Sequence, residues 1–267
     1  MLKVLVTSGG TKVKIDDVRS ITNMSRGTFG CKIATEFLKA DKDIQLIFLR
    51  AEESCSPFLS KYYAFDGIFK NFISLYKNQK FYKKNKKRVI EIAYKTYEDY
   101  ARTLNRLLDS HKPDITVLAA AVSDYIIPNP VSGKVRSSED LKIELVPAEK
   151  LIGKAWRNKN ILVGFKLLVD STDEELIAAA KKSIKDNKCS MVVANDLRDI
   201  RNNDHKVIIV TRDTPLDEKI NVYYSKEFGI SHSNNYLASM VVRHSLNEWN
   251  NKYVVCQADR IGKNYGK

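Results

Sequence analysis

Two rhythms of hydrophobic and polar positions alternate along the chain. Apolar runs of strand length occupy residues 2–7, 44–49, 89–93, 115–120, 161–165 and 191–194. Between them, helical spacing predicts helices over residues 27–40, 97–108 and 173–185. In the first of these helices Phe29, Ile33, Phe37 and Leu38 share a face, and Thr96 is placed to cap the second. Residues 206–211 and 219–224 read as a late hairpin, and 234–249 as a final helix. The run 115–120 is apolar on both faces, which suits a parallel strand covered on both sides. The pattern predicts an α/β fold: a doubly wound, mostly parallel Rossmann-like sheet in one domain spanning 1–267. Two stretches break the rhythm. Residues 51–88 read as a lysine-rich insertion. Residues 121–147, with Pro128, Pro130 and Gly133, read as a flap or dimerisation extension.

Composition narrows the class. A hydrophobic content of 43% with only six prolines fits a globular chain large enough for a sizeable core. No apolar run approaches the roughly 20 residues that span a bilayer. The chain opens directly on a strand, so no signal peptide is expected. Cys31, Cys55, Cys189 and Cys256 lie far apart, as do His111, His205, His232 and His244. That argues against a zinc site and fits a reducing cytoplasm. The net charge of +13 points to anionic partners such as nucleic acid, a membrane surface or phosphorylated small molecules. Much of it sits at 77–88 (KNQKFYKKNKKR), where Phe81 and Tyr82 show no repeated spacing. A solvated insertion explains that stretch better than nucleic-acid binding.

The first strand runs into Ser8-Gly9-Gly10-Thr11, and Gly27-Thr28-Phe29-Gly30 opens the first helix. A strand, a glycine-rich turn and a helix N-terminus together make a place to hold phosphate. Here the usual glycine motif is split by sixteen residues, 11–26, so that loop has a task of its own. Within it, Asn23 can donate to a carbonyl or acyl-phosphate oxygen, and Arg19 can bind a carboxylate or phosphate. The plain alternative is that Asn23 and Ser25 only stabilise the turn. After the fourth strand, Ala120 and Ala121 let a ring or sugar approach the backbone, and Asp124 can accept from ribose hydroxyls. Taken alone, Asp124 reads as a turn residue. Gly164 and Phe165 end the fifth strand. Lys134 in the flap can reach polyphosphate, although a solvated surface role is the default for any one lysine here. Lys181 and Lys185 stand four apart on one helical face, with Lys182 turned away. There is no Ser-His-Asp arrangement and no P-loop, so positioning and charge neutralisation suit the inventory better than covalent catalysis.

Six segments in order resemble the phosphopantothenate–cysteine ligases (phosphopantothenoylcysteine synthetases). They are VLVTSGGT (4–11), DDVRSITNMSRGTFG (16–30), AAAVSDY (119–125), GKV (133–135), LVGFKL (162–167) and VVANDL (192–197). The resemblance implies activation of 4′-phosphopantothenate by a nucleoside triphosphate, CTP or ATP with CTP favoured, accompanied by Mg2+. L-cysteine then attacks the acyl-nucleotide. It implies catalytic roles for Asn23 and Lys134 and substrate contacts for Arg19, Asn23 and Ser25. It implies nucleotide contacts for Gly9, Gly10, Thr11, Ala120, Ala121, Asp124, Lys134, Gly164, Phe165, Lys181 and Lys185. It also implies a cytoplasmic homodimer and a monofunctional form, since the chain starts at the ligase strand.

Two other classes compete. A short-chain NAD(P)-dependent reductase would use the same strand, turn and helix, with Glu52 or Glu53 as ribose acceptor. Its Tyr-x-x-x-Lys spacing recurs at Tyr76–Lys80 and Tyr82–Lys86, but in the insertion before the third strand, the wrong place. A basic nucleic-acid-binding protein rests on the charge alone.

Overall fold

The computed structural model describes residues 1–57, 80–81, 83–136, 141–157, 160–202, 205–212, 221–225 and 233–264; at 233 and 253–264 it describes backbone only. The chain begins with β1 (Leu2–Ser8), the short hairpin strands β2 (Lys12–Lys14) and β3 (Ser20–Thr22), helix α1 (Thr28–Ala40) and β4 (Ile44–Ala51). It continues through β5 (Val89–Tyr94), α2 (Tyr97–His111), β6 (Ile115–Leu118), β7 (Tyr125–Ile126) and β8 (Val146–Pro147). Then come β9 (Ile161–Leu168), α3 (Asp173–Asn187), β10 (Met191–Asp196), α4 (Leu197–Arg201), β11 (Lys206–Thr211), β12 (Asn221–Tyr224) and α5 (Ser233–Asn264).

Eight strands form one sheet in the order β12-β11-β10-β9-β6-β1-β4-β5. The six from β5 to β10 are parallel, and β11 and β12 continue the sheet antiparallel. The chain winds outward from β1 in one direction through β4 and β5, and in the other from β6. The order therefore reverses between β1 and β6, and a ligand crevice belongs outside their carboxyl ends.

Strand side chains alternate between two cores, as the pleat requires. Leu5, Ile47 and Leu49 face a layer made by Tyr97, Tyr100, Leu104 and Leu107 of α2 with Leu176, Ala180 and Ile184 of α3. Val4, Val6, Leu46 and Phe48 face Ile33, Ala34, Phe37 and Leu38 of α1 and Leu237, Ala238 and Val241 of α5. The apolar face read from 27–40 is thus the face α1 buries, with Phe29 half-buried at its start. Thr96 caps α2 by accepting from the Asp99 N–H. Thr172 and Glu175 close a reciprocal capping box on α3.

The described elements follow the predicted order. The flap stretch carries only the β7–β8 pair as regular structure among its described residues, and 137–140 lie outside them. The split glycine motif holds the β2–β3 hairpin, which its polar sequence did not announce. Much of the predicted insertion, 58–79 and 82, lies outside the described residues. So do Tyr76 and Tyr82 of the reductase spacing, the first residues of the 219–224 strand, and His232. No helix among the described residues is long and apolar enough to cross a membrane.

Gly9 fixes the turn beyond β1. Its φ is +88°, and a β-carbon there would lie 2.7 Å from Ala51 Cβ and 2.8 Å from Ser54 Cβ. Left-handed backbone costs about 1–2 kcal/mol for an L-residue, and overpacking typically adds 1–3. Gly9→Ala is expected to lower the unfolding free energy by roughly 2–5 kcal/mol. The urea midpoint checks it; an unchanged midpoint would mean that the turn reshapes freely.

Candidate functional site

Three segments remote in sequence are sewn together over the switch point. The Ala121 N–H donates to the Gly9 carbonyl at 2.8 Å, and the Thr11 N–H donates to the Ala121 carbonyl at 3.1 Å. The Ser123 N–H donates to Thr11 Oγ1 (2.9 Å), and the Ala120 N–H to Thr7 Oγ1 (3.2 Å). Asn23 completes the set, its Nδ2 donating to the same Ala121 carbonyl at 2.8 Å. A β-carbon at Gly10 would sit 2.7 Å from the Asn23 carbonyl oxygen, so the loop after β3 lies directly on the glycine turn. An Asn amide has two N–H donors and an acceptor oxygen, so Asn23 keeps one donor for a ligand while the other holds it in place.

Beneath the turn, the buried Tyr94 hydroxyl donates to the carbonyls of both Ser8 (2.9 Å) and Gly9 (3.1 Å). Burial pushes its phenol well above the ordinary range, so it stays a donor. Tyr100 reaches Thr7 Oγ1 at 3.4 Å. Neither tyrosine was marked by the sequence. One ends a strand and the other sits on an apolar helix face, where an aromatic reads as core.

Ser25 accepts weakly from the Gly27 N–H (3.4 Å), the turn role set against its substrate role. Gly27, with φ +69°, is the left-handed residue before α1, and its carbonyl accepts from Ser8 Oγ at 2.8 Å. Asp124 is exposed, and its carboxylate takes Lys150 Nζ at 2.6 Å. Solvent screening makes such a pair weak, so a ribose can displace it.

Arg19 is engaged within the protein. Its guanidinium pairs with the buried Asp16 carboxylate at 2.7 Å and donates to the Val135 carbonyl at 2.7 Å. Lys134 lies between Gly133 and Val135 of the flap, exposed and with no ion pair among the described residues.

Phe165 packs edge-on to Phe29 with ring centroids 6.2 Å apart, and Phe29 meets His205 at 5.0 Å. Gly164 faces the other core, where a β-carbon would come within 3.0 Å of Ile152 Cδ1. Lys181 and Lys185 do share a face. They line a cavity of about 430 Å³ with Trp156, Ile184, Lys188, Thr211 and Arg212, while Lys182 turns to Asp186 at 2.8 Å. That cavity shares no lining residue with the switch-point cluster, so the lysine pair and the glycine turn do not form one pocket.

Two carboxylates brace this end of the molecule. Burial works against ionisation of Asp16. Yet the N–H groups of Val18, Arg19 and Val135, with the Arg19 side chain, hold it down at about 2. Burial likewise opposes ionisation of Asp196, but the Ser171 N–H and hydroxyl and the Arg198 and Asp170 N–H groups hold it at about 2. Both are depressed below the ordinary 3.8. Their stabilisation is complete above that value and fades as pH falls toward 2. A urea midpoint that drops between pH 4 and pH 2, less steeply in Asp196→Asn, is the expected result. Equal slopes for the two proteins would contradict it.

The fold and the converging turns define an α/β protein of the doubly wound, nucleotide-binding class. Residues 1–58 and 77–227 match the DNA/pantothenate metabolism flavoprotein C-terminal domain, and the chain belongs to that family. The chain is 32% identical over 213 residues to the coenzyme A biosynthesis bifunctional protein CoaBC of Thermococcus kodakarensis, covering 79% of this chain and 45% of that protein. The corresponding protein of Methanocaldococcus jannaschii is 27% identical over 197 residues, covering 73% and 40%. The chain thus spans less than half the length of these relatives.

Among solved structures, a Cab2 mutant in complex with phosphopantothenate-cysteine superposes with a TM-score of 0.78 at 22% identity, covering 96% of this chain and 89% of that one. The DNA/pantothenate metabolism flavoprotein from Streptococcus pneumoniae gives 0.68 at 22% identity, covering 91% and 98%. At these identities the likeness is one of fold. Family membership displaces the reductase alternative.

Proposed function

We propose that this chain joins 4′-phosphopantothenate to L-cysteine at the expense of a nucleoside triphosphate, giving phosphopantothenoylcysteine for coenzyme A biosynthesis. A carboxylate oxygen attacks the α-phosphorus and pyrophosphate leaves. The cysteine amine then attacks the acyl carbon, the acyl C–O bond breaks, and the nucleoside monophosphate leaves with that oxygen. The observation that carries the reading is the convergence of the Gly9–Thr11 turn, the Ala120–Asp124 loop and Asn23 at one switch point.

In this reading Gly9, Gly10, Thr11, Ala120 and Ala121 form the floor on which the nucleotide lies. Asp124 exchanges Lys150 for ribose hydroxyls. Gly164 and Phe165 border the base side. Lys134 neutralises charge developing on the α-phosphoryl group. Asn23 uses its remaining donor on the acyl oxygen, and Ser25 and Arg19 border the pantothenate side. Lys181 and Lys185 face their own cavity, apart from the switch-point turns, and take no part in holding the nucleotide there.

Magnesium enters as part of the substrate, carried by the triphosphate. The base is CTP in preference to ATP. The protein acts as a cytoplasmic homodimer, supported by exposed apolar side chains on the site loops, Met24 (95% exposed) and Val18 foremost.

The test supplies phosphopantothenate, cysteine and magnesium with CTP or ATP. Cysteine-dependent product with one pyrophosphate per turnover is expected, faster with CTP. No pyrophosphate with either nucleotide would end the reading.

A further inference from the structure

The flap is anchored on both sides of Lys134. Asp16 Oδ1 accepts the N–H groups of Val18 (2.8 Å) and Arg19 (2.6 Å), while Oδ2 accepts Arg19 Nε (3.0 Å) and the Val135 N–H (3.1 Å). The Arg19 guanidinium spans the joint, donating to the Val135 carbonyl at 2.7 Å. On the other side, Asp17 and Gly133 exchange two hydrogen bonds. The Asp17 N–H donates to the Gly133 carbonyl at 3.0 Å, and the Gly133 N–H donates to Asp17 Oδ2 at 2.8 Å. The Val131 N–H donates to the Ile15 carbonyl at 3.0 Å. Lys134 itself is exposed at the centre of this seam, its backbone flanked by bonded neighbours and its side chain without an ion pair among the described residues.

The same loop that carries the seam continues through β3 to Asn23. The two groups assigned to the chemistry, one on the flap and one on the loop, are therefore held in register by the hydrogen bonds of Asp16, Asp17 and Arg19. The Asp16 side chain is completely shielded from solvent and its bonds are charge-assisted, the stronger kind, so this joint is rigid. A loose lysine on an open flap would sample many positions. Pinning the residues on each side restricts it to the reach of its own side chain, which is how orientation lowers a barrier.

We propose that Asp16, with Asp17 and Arg19, forms a clasp that positions Lys134 against the nucleoside triphosphate, where its charge meets the α-phosphoryl group. The clasp is a positioning device and touches no reacting atom. The proposal rests on the ligase reading of Lys134.

Two variants test it. Asp17→Ala alters an exposed side chain and leaves the buried carboxylate in place; Asp16→Asn removes the charge from the joint. In both, amide hydrogen exchange at Gly133 and Val135 is expected to accelerate. The kcat for pyrophosphate release should fall ~10-fold or more, with the nucleotide KM changed less. Adding Lys134→Gln to Asp17→Ala should cost far less than it costs the unaltered chain, because a misplaced lysine has little left to lose.

Faster flap exchange with an unchanged kcat would overturn the positioning role while leaving the ligase reading intact. So would fully multiplicative losses in the double variant. If the unaltered chain releases no pyrophosphate with any nucleotide, the ligase reading fails and the positioning role fails with it. The exchange rates then still report whether the clasp exists. Should Asp16→Asn not fold, Asp17→Ala decides alone.

Discussion

Lys134→Gln is expected to slow pyrophosphate release by ~10²–10³-fold, the cost of removing one preorganised group from a developing negative charge. The lysine stands exposed between two anchored residues, with no ion pair among the described residues, so its charge is available to a ligand. Glutamine keeps the length and a donor but removes the charge. The loss should therefore fall on the first half-reaction, the step that builds charge on the α-phosphoryl group. A single-turnover measurement of pyrophosphate separates that step from the later one. The melting temperature should not move, because the exposed side chain makes no ion pair or hydrogen bond among the described residues. A variant with wild-type single-turnover kinetics would show that the charge comes from elsewhere.

Asn23→Asp is expected to separate the two half-reactions. The amide Nδ2 donates to the Ala121 carbonyl at 2.8 Å, and the second N–H is the one assigned to the acyl oxygen. Aspartate removes both donors and places a negative charge beside a carbonyl and an incoming carboxylate. Activation at the α-phosphorus can proceed, since Lys134 and the glycine turn are untouched. Cysteine-dependent release of nucleoside monophosphate should fall by roughly 10²-fold, leaving about one equivalent of pyrophosphate as a burst. Loss of the burst together with turnover would place Asn23 in the first step. Part of the effect will register as stability: the Ala121 carbonyl keeps the Thr11 N–H but loses the Asn23 donor, a hydrogen bond worth about 0.5–1.5 kcal/mol. The denaturation midpoint apportions that share.

The sheet was legible because apolar period and strand length announce themselves locally. All six parallel strands and the helices α1, α2, α3 and α5 follow from periodicity and caps such as Thr96. The β2–β3 hairpin was not legible. Its strands have three residues each, and those of β3 are all exposed, so no burial pattern marks it. At the site, the meeting of Gly10, Asn23 and Ala121 could be expected from the topology of a doubly wound sheet, since strand ends at a reversal are neighbours. The clasp could not. Asp16 and Val135 are 119 positions apart, and nothing in either segment names the other as partner. Arg19 shows the same limit, because residue type marked it for an external anion while the fold commits it to Asp16. The lysine pair shows a third. Helical spacing fixed the shared face of Lys181 and Lys185, but which neighbours complete their cavity depends on Trp156 and Arg212 from distant elements.

The claim on which the rest depends is that the acid is activated by transfer of a nucleotidyl group to its own oxygen. Phosphopantothenate labelled with 18O in the carboxylate, turned over with cysteine and CTP, tests this directly by mass spectrometry of the products. The account predicts nucleoside monophosphate carrying one 18O and pyrophosphate carrying none. Label in inorganic phosphate, or unlabelled monophosphate alongside product, would contradict it.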